Sequence, residues 1–462
     1  MKRRRPSRCA KVNPRSLAVE ILNRVEEKGA YAEPLLDEVL TKTAMGVQDR
    51  RLLTHLVYGT IRARGRYDWI IGRLYERGAD ALDTGIRNVL RVALHQLLTM
   101  DRIPDYAVID EAVETTKAAQ NRAGAGLVNA LLRRYMREGK GVSYPDPEKE
   151  PTRHLAVLHS HPEWLVEMWV RLLGLEETAE LCRANNEIPP LTVRSNRLKV
   201  EREVLARRLS EDGCEARYTV YSPDGLILSG LPGSVRRLRA FAEGCFVVQD
   251  EASQLVSRLF APLPGETVID VCAGSGIKTT HLAALMQNEG RILAMDINAR
   301  KLALLEELAG RLQAKIIEPV EADALEKPKA DLQRAFDRVL VDVPCSGLGT
   351  LRRNPEIKWR LTPEEMKKFP PLQKRILANA AQCVKKGGVL VYSTCTISDE
   401  ENEGVVRAFL ADNDDFTMVE PSQDIDASLT DGGYFKTYPH RHGTDGFFGA
   451  ILRRHEGGGQ KN

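Results

Sequence analysis

The stretch from residue 267 to residue 393 sets the tightest constraint on how this chain folds. Five apolar runs lie there: 267–272 (TVIDVC), 291–295 (RILAM), 315–320, 337–343 (DRVLVDV) and 388–393 (GVLVYS). Helical periodicity fills several of the gaps, most clearly at 278–287, 299–312 and 371–384. Strands alternating with helices predict a parallel sheet covered on both faces. Ligands of such sheets bind beyond the carboxyl ends of the strands. The residues that follow each run are therefore the first candidates for a site.

The preceding sequence has a different character. Apolar residues recur at helical spacing over 16–28, 50–63, 86–98, 107–119 and 126–137, with breaks at Asp83-Thr84-Gly85 and Ile103-Pro104-Asp105. The segment 139–151 (GKGVSYPDPEKEP) reads as a linker. Helices are then expected over 155–184 and 200–210, and short strands over 191–194, 216–221 and 226–229. A chain of 462 residues with 43% hydrophobic content has room for two or three cores. The expected division is an all-α domain at 1–142, a linker and small α+β module at 143–240, and an α/β domain at 241–456.

Composition excludes more than it selects. The net charge of +3 does not by itself imply a polyanionic partner. Its distribution is more suggestive: MKRRRPSR opens the chain, Arg236, Arg237 and Arg239 cluster, and so do Arg352, Arg353, Lys358 and Arg360. Such patches either follow a phosphate backbone or form a solvated surface. Trp359, between two of these cations, either stacks on a base or packs in a core. Eight cysteines without a CxxC pair fit reduced thiols and no structural zinc. His154, His159, His161, His440 and His442 have no metal-site spacing, so no metal is expected. The chain has neither a signal-peptide pattern nor an apolar stretch of membrane-spanning length, so a cytoplasmic protein is expected.

The first strand of the α/β region runs into Ala273-Gly274-Ser275-Gly276-Ile277-Lys278. A glycine turn between strand and helix lets a ligand approach the backbone. It is not a phosphate loop, because Ile277 separates Gly276 from Lys278, nor a dinucleotide fingerprint, because Thr279 stands where the third glycine belongs. A nucleoside cofactor without a pyrophosphate survives both exclusions. Asp296 ends the second strand, twenty residues beyond Gly276, where an acid can accept from ribose hydroxyls. Asp323 follows the third strand, and Asp342 ends the fourth. Any one aspartate is as readily a helix cap; acids after three successive strands beside a glycine turn point to a site.

Two thiols fall at the same sheet edge, Cys345 in DVPCSG after the fourth strand and Cys395 in STCT after the fifth. Cys9, Cys182, Cys214 and Cys383 are expected to be inert hydrophobes. Paired thiols suit a specific chemistry. Carbon 5 of cytosine is too weak a nucleophile to take a methyl group directly, but thiolate addition at carbon 6 makes it enamine-like. Asp342 is placed to assist at ring nitrogen 3. A base must then remove the carbon 5 proton so that the thiol can leave.

DVCAGSGIKTTHLA, AMDINARKL, EADAL, DVPCSGLGTLRRNPEIKW and YSTCTISDEEN resemble the successive motifs of RNA cytosine-5 methyltransferases, with QDEASQL and HRHGTDGFFGA as flanking motifs. The front of the chain is similar to the NusB-like domain of the Sun/Fmu type, which methylates 16S ribosomal RNA. The resemblance implies a Rossmann-like S-adenosylmethionine domain behind an all-α NusB-like domain and a small α+β module. It makes Cys395 the nucleophile, with Cys345 promoting product release. DNA cytosine-5 methyltransferases attack with the PC-motif thiol instead, which keeps Cys345 as the alternative. It places Cys272, Ala273, Gly274, Ser275, Gly276, Ile277, Lys278, Asp296, Asp323 and Asp342 around the cofactor. Small-subunit ribosomal RNA is the implied partner, and a monomer the expected state. The family loop usually reads CAAPGGK, so Ser275 and Ile277 depart from it. A β-branched residue is strongly disfavoured at positive φ, so either Ile277 has an ordinary φ or the loop has shifted. A non-catalytic RNA-binding scaffold is the rival reading, favoured by Ile277 and opposed by the intact DVPC and STC motifs.

Overall fold

The computed structural model describes residues 13–138, 142–231 and 233–457. The basic segment MKRRRPSR and Cys9 lie outside these residues. Contacts divide the chain into two units, residues 1–187 with 351–360, and residues 188–350 with 361–462.

The first unit is helical, with helices at Pro14–Lys28, Ala32–Lys42, Val47–Arg62, Arg64–Leu74, Thr84–Thr99, Asp105–Ala118 and Arg122–Arg137, followed by Pro151–Leu158, Glu163–Leu173 and Leu175–Ala184. Asn13, Asp83 and Asn121 cap three of them by accepting backbone N–H bonds. Two helices, 32–42 and 64–74, escape the sequence reading. The second (RGRYDWIIGRL) contains two glycines and several residues of low helical propensity. It is held instead by burial of Tyr67, Ile70, Ile71 and Leu74, which share one face.

Residues 351–360 pack with this helical unit, and two of their four cations fit neither a phosphate-following patch nor a solvated surface. Arg352 and Lys358 are buried. The Lys358 ammonium donates to the Arg62 carbonyl at 3.1 Å and to Asn186 Oδ1 at 3.2 Å, and burial pushes its pKa down to about 7. Trp359 donates from Nε1 to the Ile61 carbonyl at 2.8 Å and packs against the helical core, so it does not offer a stacking surface for a base. Glu356 accepts from the Ala32 N–H at 2.9 Å and so caps helix 32–42, where Tyr31 supplies no side-chain cap. The cluster Arg236, Arg237 and Arg239 remains exposed.

The second unit holds two sheets. The smaller contains β1 (Leu191–Ser195), β2 (Glu215–Tyr218), β3 (Gly225–Ser229) and β4 (Phe246–Val248) in the antiparallel order β2-β3-β1-β4. The larger contains β5 (Thr267–Asp270), β6 (Arg291–Asp296), β7 (Ile317–Glu321), β8 (Phe336–Asp342), β9 (Val384–Thr394), β10 (Phe416–Val419), β11 (Thr430–Asp431), β12 (Tyr434–Lys436) and β13 (Phe448–Arg454). Strands β7-β6-β5-β8-β9 are parallel, as expected. Strand β13 adds to β9 antiparallel, with β12 and β11 beyond it and β10 paired to β13. The sheet is therefore mixed. This antiparallel edge was not anticipated, because β10–β12 are runs of four residues or fewer without a clean alternation.

The strand order places the ends of β6, β5, β8 and β9 side by side. The smaller sheet buttresses this edge. Arg194 of β1, fully buried, donates to the Ile277 carbonyl at 2.8 Å and to Thr280 Oγ1 at 3.2 Å, so it grips the first turn of helix Ile277–Leu285. Asn196 Nδ2 donates to the Leu312 carbonyl at 2.8 Å, the end of helix Ala299–Leu312.

Candidate active site

An open cavity of about 300 Å³ lies at the carboxyl ends of β5, β6 and β8. Its lining includes Cys272, Ala273, Gly274, Ser275, Ile277, Lys278, Asp296 and Asp342, all anticipated, together with Asp270, Lys301, Val343 and Pro344. Gly276 and Asp323 are not among the lining residues. Gly276 instead caps the helix at φ +81°, where a Cβ would lie 2.5 Å from Leu305 Cγ. Asp323 is half-buried and turns back to accept from the Leu325 N–H at 2.8 Å.

The loop solves its own conformational problem. Positive φ falls on Gly274 and Gly276, whereas Ile277 is the first helical residue with an ordinary φ. The departure from glycine at Ile277 therefore costs no backbone strain. A Cβ on Gly274 would meet no protein atom within 4 Å, so the turn offers bare backbone to a ligand. Asp296 fixes the turn to the next strand: Oδ2 accepts from the Gly274 N–H at 2.9 Å and Oδ1 from the Asn298 N–H at 2.8 Å. Each oxygen keeps a lone pair for a ligand hydroxyl.

Charge concentrates at the floor. The Lys278 ammonium donates to Asp342 Oδ2 at 2.5 Å, and Ser393 Oγ of β9 donates to Asp342 Oδ1 at 2.8 Å. Burial works against the Lys278 charge, but Asp342, and to a smaller extent Cys395, raise its pKa above the ordinary value. Asp270 is buried beneath them, accepting from Thr279 Oγ1 at 2.7 Å, and burial raises its pKa to about 7. Asp270 escapes the sequence reading because the apolar run extends through Cys272, whereas β5 ends at Asp270.

The two thiols meet. Cys345 Sγ and Cys395 Sγ are 3.3 Å apart, although fifty residues separate them in the chain. The Cys395 N–H also donates to Cys345 Sγ at 3.4 Å, and both residues are half-buried. The hydrogen bond with Cys395, reinforced by burial, pushes the Cys345 pKa well above the ordinary thiol value. Cys345 is thus kept as a thiol in the resting site. Nearby, the Gly349 N–H donates to the Cys395 carbonyl at 3.0 Å and the Gly446 N–H to the Gly349 carbonyl at 2.8 Å. Either glycine with a Cβ would collide with the other chain segment.

Among proteins of known family, residues 257–453 match the 16S rRNA methyltransferase RsmB/F model, residues 12–137 the NusB family, and residues 161–235 the ferredoxin-like domain of RsmF/B-like methyltransferases. The chain is 36% identical over 451 residues to the probable ribosomal RNA small subunit methyltransferase B of Bacillus subtilis, covering 96% of this chain and 99% of that one. It is 37% identical to the corresponding protein of Synechocystis sp., covering 96% and 100%. Among solved structures it is similar to PH0851, with a TM-score of 0.82 and 32% identity over 96% of this chain and 99% of that one. It also resembles NSun6 from Pyrococcus horikoshii with SFG, with a TM-score of 0.58 and 26% identity over 64% of this chain and 99% of that one.

Proposed function

The chain belongs to the RsmB/F family of 16S ribosomal RNA methyltransferases, and we propose that it methylates carbon 5 of a cytosine in that RNA through a covalent bond from Cys395 to ring carbon 6. The observation that carries this reading is the 3.3 Å approach of two thiols beside the Lys278–Asp342 pair. Methyl transfer to an exocyclic nitrogen or a ribose oxygen has no use for a second thiol.

S-adenosylmethionine is the methyl donor and supplies an electrophilic methyl group on a sulfonium. SFG, its analogue, is bound by one of the similar structures. The residues present suit such a ligand. Asp296 offers acceptors for a ribose diol, the bare Gly274 turn admits close approach, and the acids around Lys278 complement the sulfonium and the ammonium of the methionine tail. The remaining steps belong to the chain. Cys395 adds as thiolate to carbon 6, and Asp342, held by Lys278 and Ser393, assists at ring nitrogen 3. Carbon 5 takes the methyl group. Once Cys395 is bonded to the base, its hydrogen bond to Cys345 is lost; Cys345, having given its own proton to solvent, accepts the carbon 5 proton, the carbon 5–carbon 6 double bond re-forms and the Cys395 thiolate leaves.

In this reading the parts of the chain at 1–142 and 143–240 grip structured RNA, with exposed Arg236, Arg237 and Arg239 meeting phosphates, while 241–456 carries out the chemistry. The protein acts as a monomer in the cytoplasm, where its thiols stay reduced. The scaffold alternative loses the feature that favoured it, since Ile277 is an ordinary helical residue.

The test is incubation with labelled S-adenosylmethionine and undermodified 16S RNA. Label is expected at carbon 5 of a cytosine; bound RNA without such label sinks the reading. A second measurement addresses the donor site. Gly276→Ala forces a Cβ onto Leu305 at a positive φ, a strain of about 1–3 kcal/mol. Calorimetric titration should find donor affinity weakened by about tenfold or more, and unchanged affinity would contradict the loop's assigned role.

A further inference from the structure

Behind the thiols lies a carboxyl group that methyl transfer itself does not use. Glu401 has 0% exposure. Among the described residues no cation pairs with it. Its Oε2 accepts from the Ser346 N–H and from Gln373 Nε2, both at 2.9 Å. Its Oε1 accepts from Ser346 Oγ at 2.5 Å and from Thr396 Oγ1 at 3.5 Å. The single hydrogen of the Thr396 hydroxyl is shared between Glu401 Oε1 and Ser346 Oγ, the latter at 2.7 Å. Gln373 completes the frame by donating to the Pro344 carbonyl at 3.1 Å.

The partners fall on both sides of the reacting thiols. Pro344 and Ser346 flank Cys345 in the chain, and Thr396 follows Cys395. One carboxyl group, with Gln373 beside it, thus fixes the backbone before and after one thiol and the residue after the other. The Tyr392 hydroxyl donates to the backbone carbonyl of Glu401 at 2.6 Å, which anchors the main chain of that residue to β9. A buried acid without a counter-ion is costly to place, and burial accordingly raises its pKa, with the hydrogen bonds opposing. The group is kept where it satisfies four donors that no apolar residue would satisfy.

We propose that Glu401 is the positioning residue that holds Cys345 against Cys395 for release of the methylated base. The inference rests on the covalent reading above. It concerns geometry: Cys345 must reach the carbon 5 proton while Cys395 is bonded to carbon 6, and a displacement of about 1 Å at such a step costs about 100-fold in rate.

Three variants test it in the full-length protein, with RNA and labelled S-adenosylmethionine present. Cys345→Ala is the reference and should accumulate a protein–RNA adduct that survives denaturation. Glu401→Asp is one methylene too short to reach Ser346 and Thr396 together; it should bind donor normally, form the adduct, and release product about 100-fold more slowly. Glu401→Gln can keep its carbonyl on the Ser346 N–H and Gln373 while its amide donates to Ser346 Oγ; it should release product near the wild-type rate. A merely structural role would lower adduct formation and release together. Release by Glu401→Asp at the wild-type rate, loss of its adduct with donor binding intact, or equally slow release by Glu401→Gln would each overturn the proposal. Should Glu401→Asp not fold, Ser346→Ala removes only the hydroxyl bridge, and wild-type release by that variant overturns it too. If Cys345→Ala yields no adduct, the covalent reading falls and takes this inference with it; an adduct with Cys345→Ala but none with Glu401→Asp removes this inference alone.

Discussion

Cys395→Ala is expected to abolish methyl transfer, and Cys345→Ala to leave the enzyme covalently attached to its RNA. The two thiols are 3.3 Å apart and similarly half-buried, so distance does not assign their roles. Their surroundings differ. Cys345 accepts the Cys395 N–H, shares a hydrogen bond with Cys395, and has its pKa pushed well above the ordinary range. A thiol kept protonated is a poor nucleophile. Cys395 instead lies within electrostatic reach of the Lys278 ammonium.

Removing Cys395 should lower turnover on the order of 10⁴-fold or more, while donor affinity stays unchanged because Cys395 does not line the donor cavity. Removing Cys345 should leave addition and methylation intact and block only the exit. The readout is a band of retarded mobility on a denaturing gel, dependent on RNA and S-adenosylmethionine, strong for Cys345→Ala and missing for Cys395→Ala and the double variant. The opposite pattern would exchange the roles and align the protein with enzymes that attack from the PC motif.

The parallel strands and the helices beside them could be read from sequence because each is a short apolar run or an amphipathic stretch bounded by turn residues, so local pattern and global burial agree. The same property exposed the strand-end residues Asp296, Asp342, Cys345 and Cys395. What escaped was fixed by distant partners. Helix 64–74 exists because its Tyr67 face is buried, not because its sequence favours a helix. Lys358 and Trp359 look like an RNA-facing pair until the carbonyls of Ile61 and Arg62 claim both donors. Asp270 reads as an oddity within a strand, and Glu401 as one acid in the polar run SDEEN; its importance arises only when Ser346, fifty-five residues earlier, folds onto it. The departure at Ile277 had the opposite fate, since positive φ fell on the two glycines before it.

Asp224→Ala should be among the most destabilising single changes in the second unit, and its effect should reach the donor loop. Asp224 is buried between β2 and β3. Its Oδ2 accepts from Arg258 Nε at 2.9 Å, Arg258 Nη2 at 2.6 Å and His281 Nε2 at 3.1 Å. His281 belongs to helix Ile277–Leu285, whose first turn leaves the cofactor loop. Deleting the carboxylate strands a partly buried guanidinium and a buried imidazole, at a cost of about 3–5 kcal/mol. Urea unfolding should register that loss together with weaker donor binding, and a loss below about 1 kcal/mol would contradict the account. Acid should act on the same network. Burial alone would raise the Asp224 pKa, but hydrogen bonding from His281 and the charge of Arg258 hold it well below its ordinary value. Its contribution is complete above the unfolded-chain value near 4 and drains away as pH falls towards the native value. Burial pushes His281 down to about 3, so the native imidazole stays neutral while the unfolded chain takes up a proton below about 6.5. Between these limits the unfolded state binds the extra proton, and stability falls with acidification by at most about 1.4 kcal/mol per pH unit for this group. His281→Phe should therefore flatten the decline in unfolding free energy between pH 6.5 and pH 5 relative to wild type, whereas a parallel decline in both proteins would mean that His281 titrates normally in the native state.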